Sequence, residues 1–238
     1  MIQIDVLRRK NKEEPAYLQS FLYEPKEPSE TVATALRRLN EQASLTDKEG
    51  NRADPIVWEN SCLQKKCGAC AMVINGRPML ACDASLSALK SPVRLEPLRK
   101  FPVVADLMVD RSILFQNLKD LNAWLTADAD PSEKKNPDAY EASRCLQCGC
   151  CLEICPNFAV DGRFYGMASM VPAARLLVQM PEKEKKELAA EYKRHVFEGC
   201  GKSLACQDIC PAGIDLQGLM ARSNAAAVWR RLLWKKRN

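Results

Sequence analysis

Two cysteine runs in the second half of the chain have spacings that could hold metal. The first run consists of Cys145, Cys148, Cys151 and Cys155, with Pro156 after the last cysteine. Its pattern is C-x2-C-x2-C-x3-C-P, in which three thiolates hold one iron-sulfur cluster and the fourth reaches a second cluster. The first run therefore predicts a partner run elsewhere in the chain.

The partner run is Cys200, Cys206 and Cys210, followed by Pro211, and it lacks one thiolate. Ser203 stands where the first run has a cysteine. If the fourth cysteine of each run crosses to the other cluster, one set of four cysteines and one set of three result. The second half of the chain should therefore hold two clusters of different types.

The complete set has the four thiolates that a [4Fe-4S] cluster requires. Its members are Cys145, Cys148, Cys151 and Cys210. The incomplete set favours a [3Fe-4S] cluster, because a cube corner without a thiolate loses its iron readily. Its members are Cys155, Cys200 and Cys206.

Four further cysteines in the first half of the chain have a different spacing. They are Cys62, Cys67, Cys70 and Cys82. C-x4-C-x2-C followed by a distant cysteine is typical of plant-type [2Fe-2S] ferredoxins. Gly68 lets the backbone approach the cluster closely, and the Asn75-Gly76 pair predicts a hairpin that returns Cys82 to it. These four cysteines are therefore predicted to bind a [2Fe-2S] cluster.

Zinc is the competing interpretation of these cysteines, since zinc also binds four thiolates. Zinc sites usually pair two C-x2-C knuckles, whereas here the x4 and x2 spacings adjoin in one loop. Disulfides are disfavoured because no export signal is apparent at the N-terminus, so we expect reduced thiols. A Rieske centre needs two histidines, and His195 is the only histidine in the chain.

The elements that must position the first cluster predict a β-grasp domain over residues 1–100. Residues 2–9 and 17–23 read as a hairpin. A helix capped by Ser29 follows, and its apolar face packs on a sheet completed by strands at residues 71–74 and 93–95.

The remainder, residues 101–238, is predicted to be an all-α ferredoxin-like domain that holds the other two clusters. Residues 98–110 read as the connection between the domains. Helical spacing follows at 112–125, 138–144, 167–180, 182–196 and 216–233. The fold class is therefore α+β.

Two residues and one segment fall outside the predicted sites. Cys150 is expected to be a small buried hydrophobe rather than a ligand. His195, in a charged helix, is expected to be exposed and to have no chemical role. Residues 229–238 combine aromatic and basic side chains, which suits either a membrane or anchor-subunit surface or a solvated tail.

Composition excludes several classes of function. The net charge of +5 is mild and the basic residues are scattered, so no nucleic-acid partner is expected. The apolar stretches fall short of the ~18 residues that a membrane span needs. We find no dinucleotide motif, P-loop, flavin site or Ser-His-Asp arrangement. The chain is therefore predicted to carry electrons and not to act on a substrate by itself.

The order of the cysteine motifs, with Asn75-Gly76 and residues 106–110, resembles the iron-sulfur subunit of succinate dehydrogenase and fumarate reductase, the complex II family. The resemblance covers nearly the whole chain. It implies a flavoprotein partner that interconverts succinate and fumarate at FAD. It also implies a membrane-anchor subunit, expected to be a cytochrome b with haem b, where quinone reacts. The chain would then be peripheral, on the cytoplasmic side of the cell membrane.

The same resemblance implies an order for the clusters. The [2Fe-2S] cluster would lie nearest the flavin, and the three-cysteine site would lie nearest the quinone. Ubiquinone-reactive members have Cys-Pro-x-x-Trp-Trp after the first run and a histidine after the first cysteine of the second. This chain has residues 157–160 (Asn-Phe-Ala-Val) and Gly201 there, which favours menaquinone. An iron-sulfur subunit of a related flavoenzyme with another substrate remains an alternative.

Overall fold

The computed structural model of the chain describes residues 1–124, 137–180 and 185–229. The chain divides into two compact units. The first comprises Met1–Arg111 together with Cys148–Glu153. The second comprises Ser112–Gln147 and Ile154–Asn238.

The first unit is built on a five-stranded sheet, whose strands are β1 (Ile2–Arg8), β2 (Tyr17–Tyr23), β3 (Ala71–Ile74), β4 (Arg77–Leu80) and β5 (Val93–Glu96). Their order across the sheet is β2-β1-β5-β3-β4. β1 and β5 are parallel and the other neighbours are antiparallel. The predicted hairpin of β1 and β2 and the predicted turn at Asn75-Gly76 are both present, so the sheet has the β-grasp arrangement.

Helix α1 (Val32–Asn40) presents the predicted apolar face to the core of this unit. Val32, Leu36 and Leu39 are at most 1% exposed. The predicted cap was wrong by two residues, because Thr31 and not Ser29 caps the helix. The Thr31 side chain accepts a hydrogen bond from the Thr34 N–H at 3.3 Å.

Residues 98–110, predicted as a connection, include a small hairpin of the first unit. Its strands are β6 (Val103–Ala105) and β7 (Met108–Val109). Asp106 lies at the turn between them and is 3% exposed. Because Asp106 makes a buried ion pair with Arg8 of β1, the segment is tied to the β-grasp sheet. The prediction of a simple connection was wrong for this reason, and the compact unit extends to Arg111.

The segment Cys148–Glu153 packs in the first unit, although it lies far along the chain. It contains the short helix α4 (Cys150–Glu153). Gly149 has a φ of +87°, and a Cβ built there would lie 3.1 Å from the Phe101 ring. Glu153 accepts a hydrogen bond from the Lys100 N–H at 3.0 Å. A glycine therefore permits both the left-handed turn and the close approach of Phe101.

The second unit is helical in the part of the chain that the structure describes. Its helices are α2 (Ser112–Asp120), α3 (Pro137–Ser143), α5 (Gly166–Gln179), α6 (Lys185–Tyr192) and α7 (Leu216–Asn224). α5 is central, since it contacts each of the other four. α6 and α7 continue as wider π-helical turns over Lys193–Phe197 and Ala225–Trp229.

The predicted helices are found at the expected places with shifted ends. α2 ends at Asp120, and residue 125 of the predicted helix lies outside the described residues. The same holds for residues 182–184 and 230–233, and for most of the basic tail. Trp229 of the tail is described, and its ring meets that of Phe197 edge to face at 6.3 Å. None of the described helices combines the length and apolar character needed to cross a bilayer.

His195 is buried, which contradicts the expectation of an exposed side chain. It is 9% exposed and stacks on Tyr165 with ring centroids 4.2 Å apart. Its Nδ1 lies 2.8 Å from the Arg163 carbonyl oxygen, which accepts a hydrogen bond from it. The expectation rested on the charged neighbours of His195, whereas His195 lies on a π-helical turn, whose wider spacing changes which side chains face the core.

Candidate iron-sulfur sites

The β3–β4 hairpin brings Cys70 and Cys82 together. Cys70 directly precedes β3, and Cys82 follows two residues after β4 ends. Ala71 is paired with Leu80 across the hairpin, and the Ala81 N–H donates to the Cys70 carbonyl at 3.0 Å. Two cysteines twelve positions apart are therefore held at one end of the sheet.

The loop between Cys62 and Cys70 directs backbone N–H groups at sulfur. Gln64 and Lys66 each donate to Cys62 Sγ at 3.3 Å, and Lys65 donates to Cys82 Sγ at 3.3 Å. Lys65 has a φ of +58°, which turns the chain around the sulfurs. Such N–H···S bonds stabilise thiolates and tune the potential of a cluster bound to them, so the loop fits a [2Fe-2S] cluster.

The acidity of these thiols follows from the same contacts. The pKa of Cys62 is lowered to about 7, first by the hydrogen bond from the Gln64 N–H. Burial raises the pKa of Cys70 to about 12. Cys62 therefore ionises more readily than a free thiol, whereas Cys70 needs a metal ion to replace its proton.

Arg111 is a residue of this site that the cysteine pattern did not reveal. Its guanidinium donates to the carbonyls of Gly68 and Ala69, at 2.9 and 3.0 Å, and to that of Cys148 at 3.2 Å. It also forms an ion pair with Glu59. All of its partners except Glu59 are backbone oxygens, and backbone contacts leave no signal in sequence spacing.

The first C-P run contributes Cys148 and Cys151 to the segment that packs in the first unit. The pKa of Cys148 is lowered to about 7, first because the Cys150 thiol donates a hydrogen bond to it. Cys150 itself is 0% exposed. Its burial agrees with the prediction, and its thiol also supports the neighbouring sulfur.

Cys145, the first cysteine of that run, lies in the second unit. The Gln147 side chain donates to Cys145 Sγ at 3.2 Å and to the Ala168 carbonyl at 2.9 Å. Gln147 has a φ of +50°, so the chain turns sharply between the cysteines. Cys210 also lies in this unit and is half-buried. The assignment of Cys145, Cys148, Cys151 and Cys210 to one cluster rests on the spacing of the runs.

A recess in the second unit is lined by all three cysteines of the incomplete set. They are Cys155, Cys200 and Cys206. Ser203 lines the same recess, whose empty volume, including the part open to solvent, is about 380 Å³. Burial raises the pKa of Cys206 to about 11. Three thiols and one serine in a mainly apolar recess fit a cluster that lacks one thiolate ligand.

Apolar side chains of α5 and α7, and of Phe164 just before α5, complete this recess. Met167, Met220, Leu216 and Phe164 line it. The Cys200 thiol lies 3.7 Å from the sulfur of Met220. Apolar walls limit the access of water, which is one of the factors that set the potential of a bound cluster.

Two family descriptions match the chain. Residues 3–116 match a 2Fe-2S iron-sulfur cluster binding domain. Residues 141–214 match a 4Fe-4S dicluster domain. The predicted α+β fold class, a β-grasp [2Fe-2S] ferredoxin domain followed by a helical ferredoxin-like domain, is thereby confirmed.

Curated relatives extend the similarity over most of the chain. The succinate dehydrogenase iron-sulfur subunit of Bacillus subtilis (strain 168) is 38% identical over 84% of this chain and 82% of its own length. The fumarate reductase iron-sulfur subunit of Mycobacterium tuberculosis (strain CDC 1551 / Oshkosh) is 34% identical over 70% of this chain and 72% of its own length.

A solved structure has the same fold. A chain of the Mycobacterium smegmatis Sdh1 complex in the apo form superposes with a TM-score of 0.75 at 21% identity. The match covers 94% of this chain and 95% of that chain. Both predicted halves of the fold are therefore present in the same order in the solved structure.

Proposed function

We propose that this chain, which belongs to the family of iron-sulfur subunits of succinate dehydrogenase and fumarate reductase, passes single electrons between a flavoprotein and a quinone. The observation that carries the proposal is the presence of three separate groups of cysteines, in the order typical of the family, in one chain. Bound clusters would supply the one-electron carriers, and the protein would set their potentials.

The assignment of ligands is part of the proposal. Cys62, Cys67, Cys70 and Cys82 would hold a [2Fe-2S] cluster, supported by the N–H···S bonds of their loop. Cys155, Cys200 and Cys206 would hold a [3Fe-4S] cluster, supported by their common recess. The [4Fe-4S] ligands would be Cys145, Cys148, Cys151 and Cys210. The division into an N-terminal [2Fe-2S] domain and a C-terminal domain with two clusters also stays a proposal.

The proposed partners are a flavoprotein subunit with FAD and a membrane-anchor subunit of the cytochrome b type with haem b. Family membership supports a flavoprotein and an anchor as partners, since the named relatives are iron-sulfur subunits of succinate dehydrogenase and fumarate reductase. The chain would lie at the cytoplasmic side of the membrane, with its three-cysteine recess toward the anchor. Succinate or fumarate would react at the flavoprotein, and this chain would not touch either.

Menaquinone is the proposed quinone because Ala159, Val160 and Gly201 depart from the pattern of ubiquinone-reactive members. Gly201, where ubiquinone-reactive members resemble one another in having a histidine, lines the recess together with Asn157. A Cβ at Gly201 would lie 3.1 Å from the Asn157 side chain, which donates to the Gly199 carbonyl at 2.8 Å. The two residues therefore depend on each other: a larger side chain at 201 would have to displace Asn157.

The complex purified from its native membrane is expected to oxidise succinate or reduce fumarate with a menaquinone analogue. Activity with a ubiquinone analogue should be at least about tenfold lower, a difference of ~1.4 kcal/mol in transition-state stabilisation. Assays in both directions with both analogues, together with extraction of the bound quinone, provide the measurement. A complex that contains ubiquinone alone would contradict the quinone proposal. A complex that neither oxidises succinate nor reduces fumarate would favour a related flavoenzyme with another substrate.

A further inference from the structure

Arg111 joins the loop of the N-terminal cysteines to the first C-P run. Its guanidinium donates to Gly68 and Ala69, the two residues between Cys67 and Cys70. The same group donates to the carbonyl of Cys148. One side chain thus holds the backbone next to two different groups of cysteines.

The charge of Arg111 is held close to both groups and away from most of the solvent. Its side chain is 10% exposed, whereas that of its ion-pair partner Glu59 is 45% exposed. Water screens the carboxylate more than the guanidinium, so the positive charge is only partly compensated. An excess of positive potential should result at the sulfurs of this loop and of Cys148.

We propose that Arg111 is a positioning residue that fixes the [2Fe-2S] loop against Cys148 and raises the reduction potentials of the [2Fe-2S] and [4Fe-4S] clusters. The proposal rests on the proposed function, because it takes Cys67, Cys70 and Cys148 as cluster ligands. Reduction adds one electron to a cluster, and a nearby cation stabilises the added negative charge. The planar guanidinium also holds three carbonyl oxygens at fixed angles, which an ammonium group cannot do equally well.

Arg111→Gln is expected to lower both potentials in the purified complex. A loss of about tenfold in the equilibrium constant for reduction of the [2Fe-2S] cluster corresponds to ~59 mV for a one-electron couple. The equilibrium constant for reduction of the [4Fe-4S] cluster should also fall, by about threefold or more. Redox titration followed by EPR measures both values independently of turnover.

Two further variants separate charge from structure. Arg111→Lys keeps the charge, so the equilibrium constants for reduction of both clusters should stay within about threefold of the wild-type values. Glu59→Gln removes the compensating carboxylate and should raise the [2Fe-2S] potential. The equilibrium constant for reduction should rise by only about threefold, because the carboxylate is half exposed. If Arg111 only stabilised the fold, there would be no reason for Arg111→Gln to lower the potential and Glu59→Gln to raise it.

Arg94→Gln is the matched control. Arg94 is 52% exposed and pairs with Glu96. It lies beside Asn75, at the end of β3 away from Cys70. Its removal deletes the same charge from the same unit and should leave both potentials unchanged.

The outcomes distinguish this inference from the proposed function. A wild-type complex without [2Fe-2S] and [4Fe-4S] signals would overturn the proposed function itself. A wild-type complex with both signals, and with potentials that are the same in Arg111→Gln and Arg94→Gln, would overturn only the role of Arg111. If Arg111→Gln does not assemble, Glu59→Gln decides: a raised potential supports the role, and an unchanged or lowered one contradicts it.

Discussion

Replacing Ser203 with cysteine is expected to raise the iron content of the chain from about nine to about ten atoms. Ser203 lines the same recess as Cys155, Cys200 and Cys206, so a thiol at this position would face the open corner of the proposed cluster. A fourth thiolate would retain the fourth iron and convert a [3Fe-4S] cluster to [4Fe-4S]. The oxidised variant should therefore lose the EPR signal near g = ~2 that a [3Fe-4S] cluster gives.

Ser203→Ala is the matched control for this variant. It removes the hydroxyl without adding a ligand, so the signal near g = ~2 and about nine iron atoms should remain. If Ser203→Cys keeps both the signal and the iron content of the wild type, the second run has been aligned wrongly with the first. The assignment of Cys155, Cys200 and Cys206 to one site would then fail.

Asp106→Ala is expected to destabilise the N-terminal domain by about 3–5 kcal/mol, the usual cost of removing one partner from a buried ion pair. The side chains of Asp106 and Arg8 are each 4% exposed, and Arg8 Nε lies 3.0 Å from Asp106 Oδ1. The carboxylate also accepts hydrogen bonds from the N–H groups of Arg9 and Val57, at 2.9 and 2.8 Å. Its removal leaves two N–H groups without their acceptor, and it leaves the buried Arg8 guanidinium with neutral acceptors only, among them Gln19 and the Asp54 carbonyl.

This loss is large, since whole domains are stable by only about 5–15 kcal/mol. The midpoint of the urea transition of the full chain, followed at the N-terminal domain, measures it. Glu41→Ala is the control, because Glu41 is 62% exposed where it pairs with Arg37. That variant should lose no more than about 1 kcal/mol. Equal losses in the two variants would show that the Asp106 ion pair does not stabilise the fold.

Strong local rules made the first domain predictable from sequence. The Asn75-Gly76 turn requires positive φ at both residues, and the structure has +48° and +80° there. The spacing of apolar residues in α1 likewise predicted which face of the helix packs on the core. The three groups of cysteines were equally plain, because iron-sulfur ligands follow fixed spacings.

The features that sequence reasoning missed depend on contacts between distant parts of the chain. Asp106 and Arg8 are nearly a hundred positions apart, and the docking of Gly149 on Phe101 brings a late segment to the first unit. Arg111 acts on backbone carbonyls, which any residue provides. His195 lies on a π-helical turn, which no 3.6-residue periodicity reveals.

Metal and sulfide analysis of the purified chain tests the central claim most directly. Three clusters of the proposed types predict about nine iron atoms and about ten acid-labile sulfides per chain, with no zinc. Zinc without labile sulfide would contradict electron transfer and make the cysteines structural ligands.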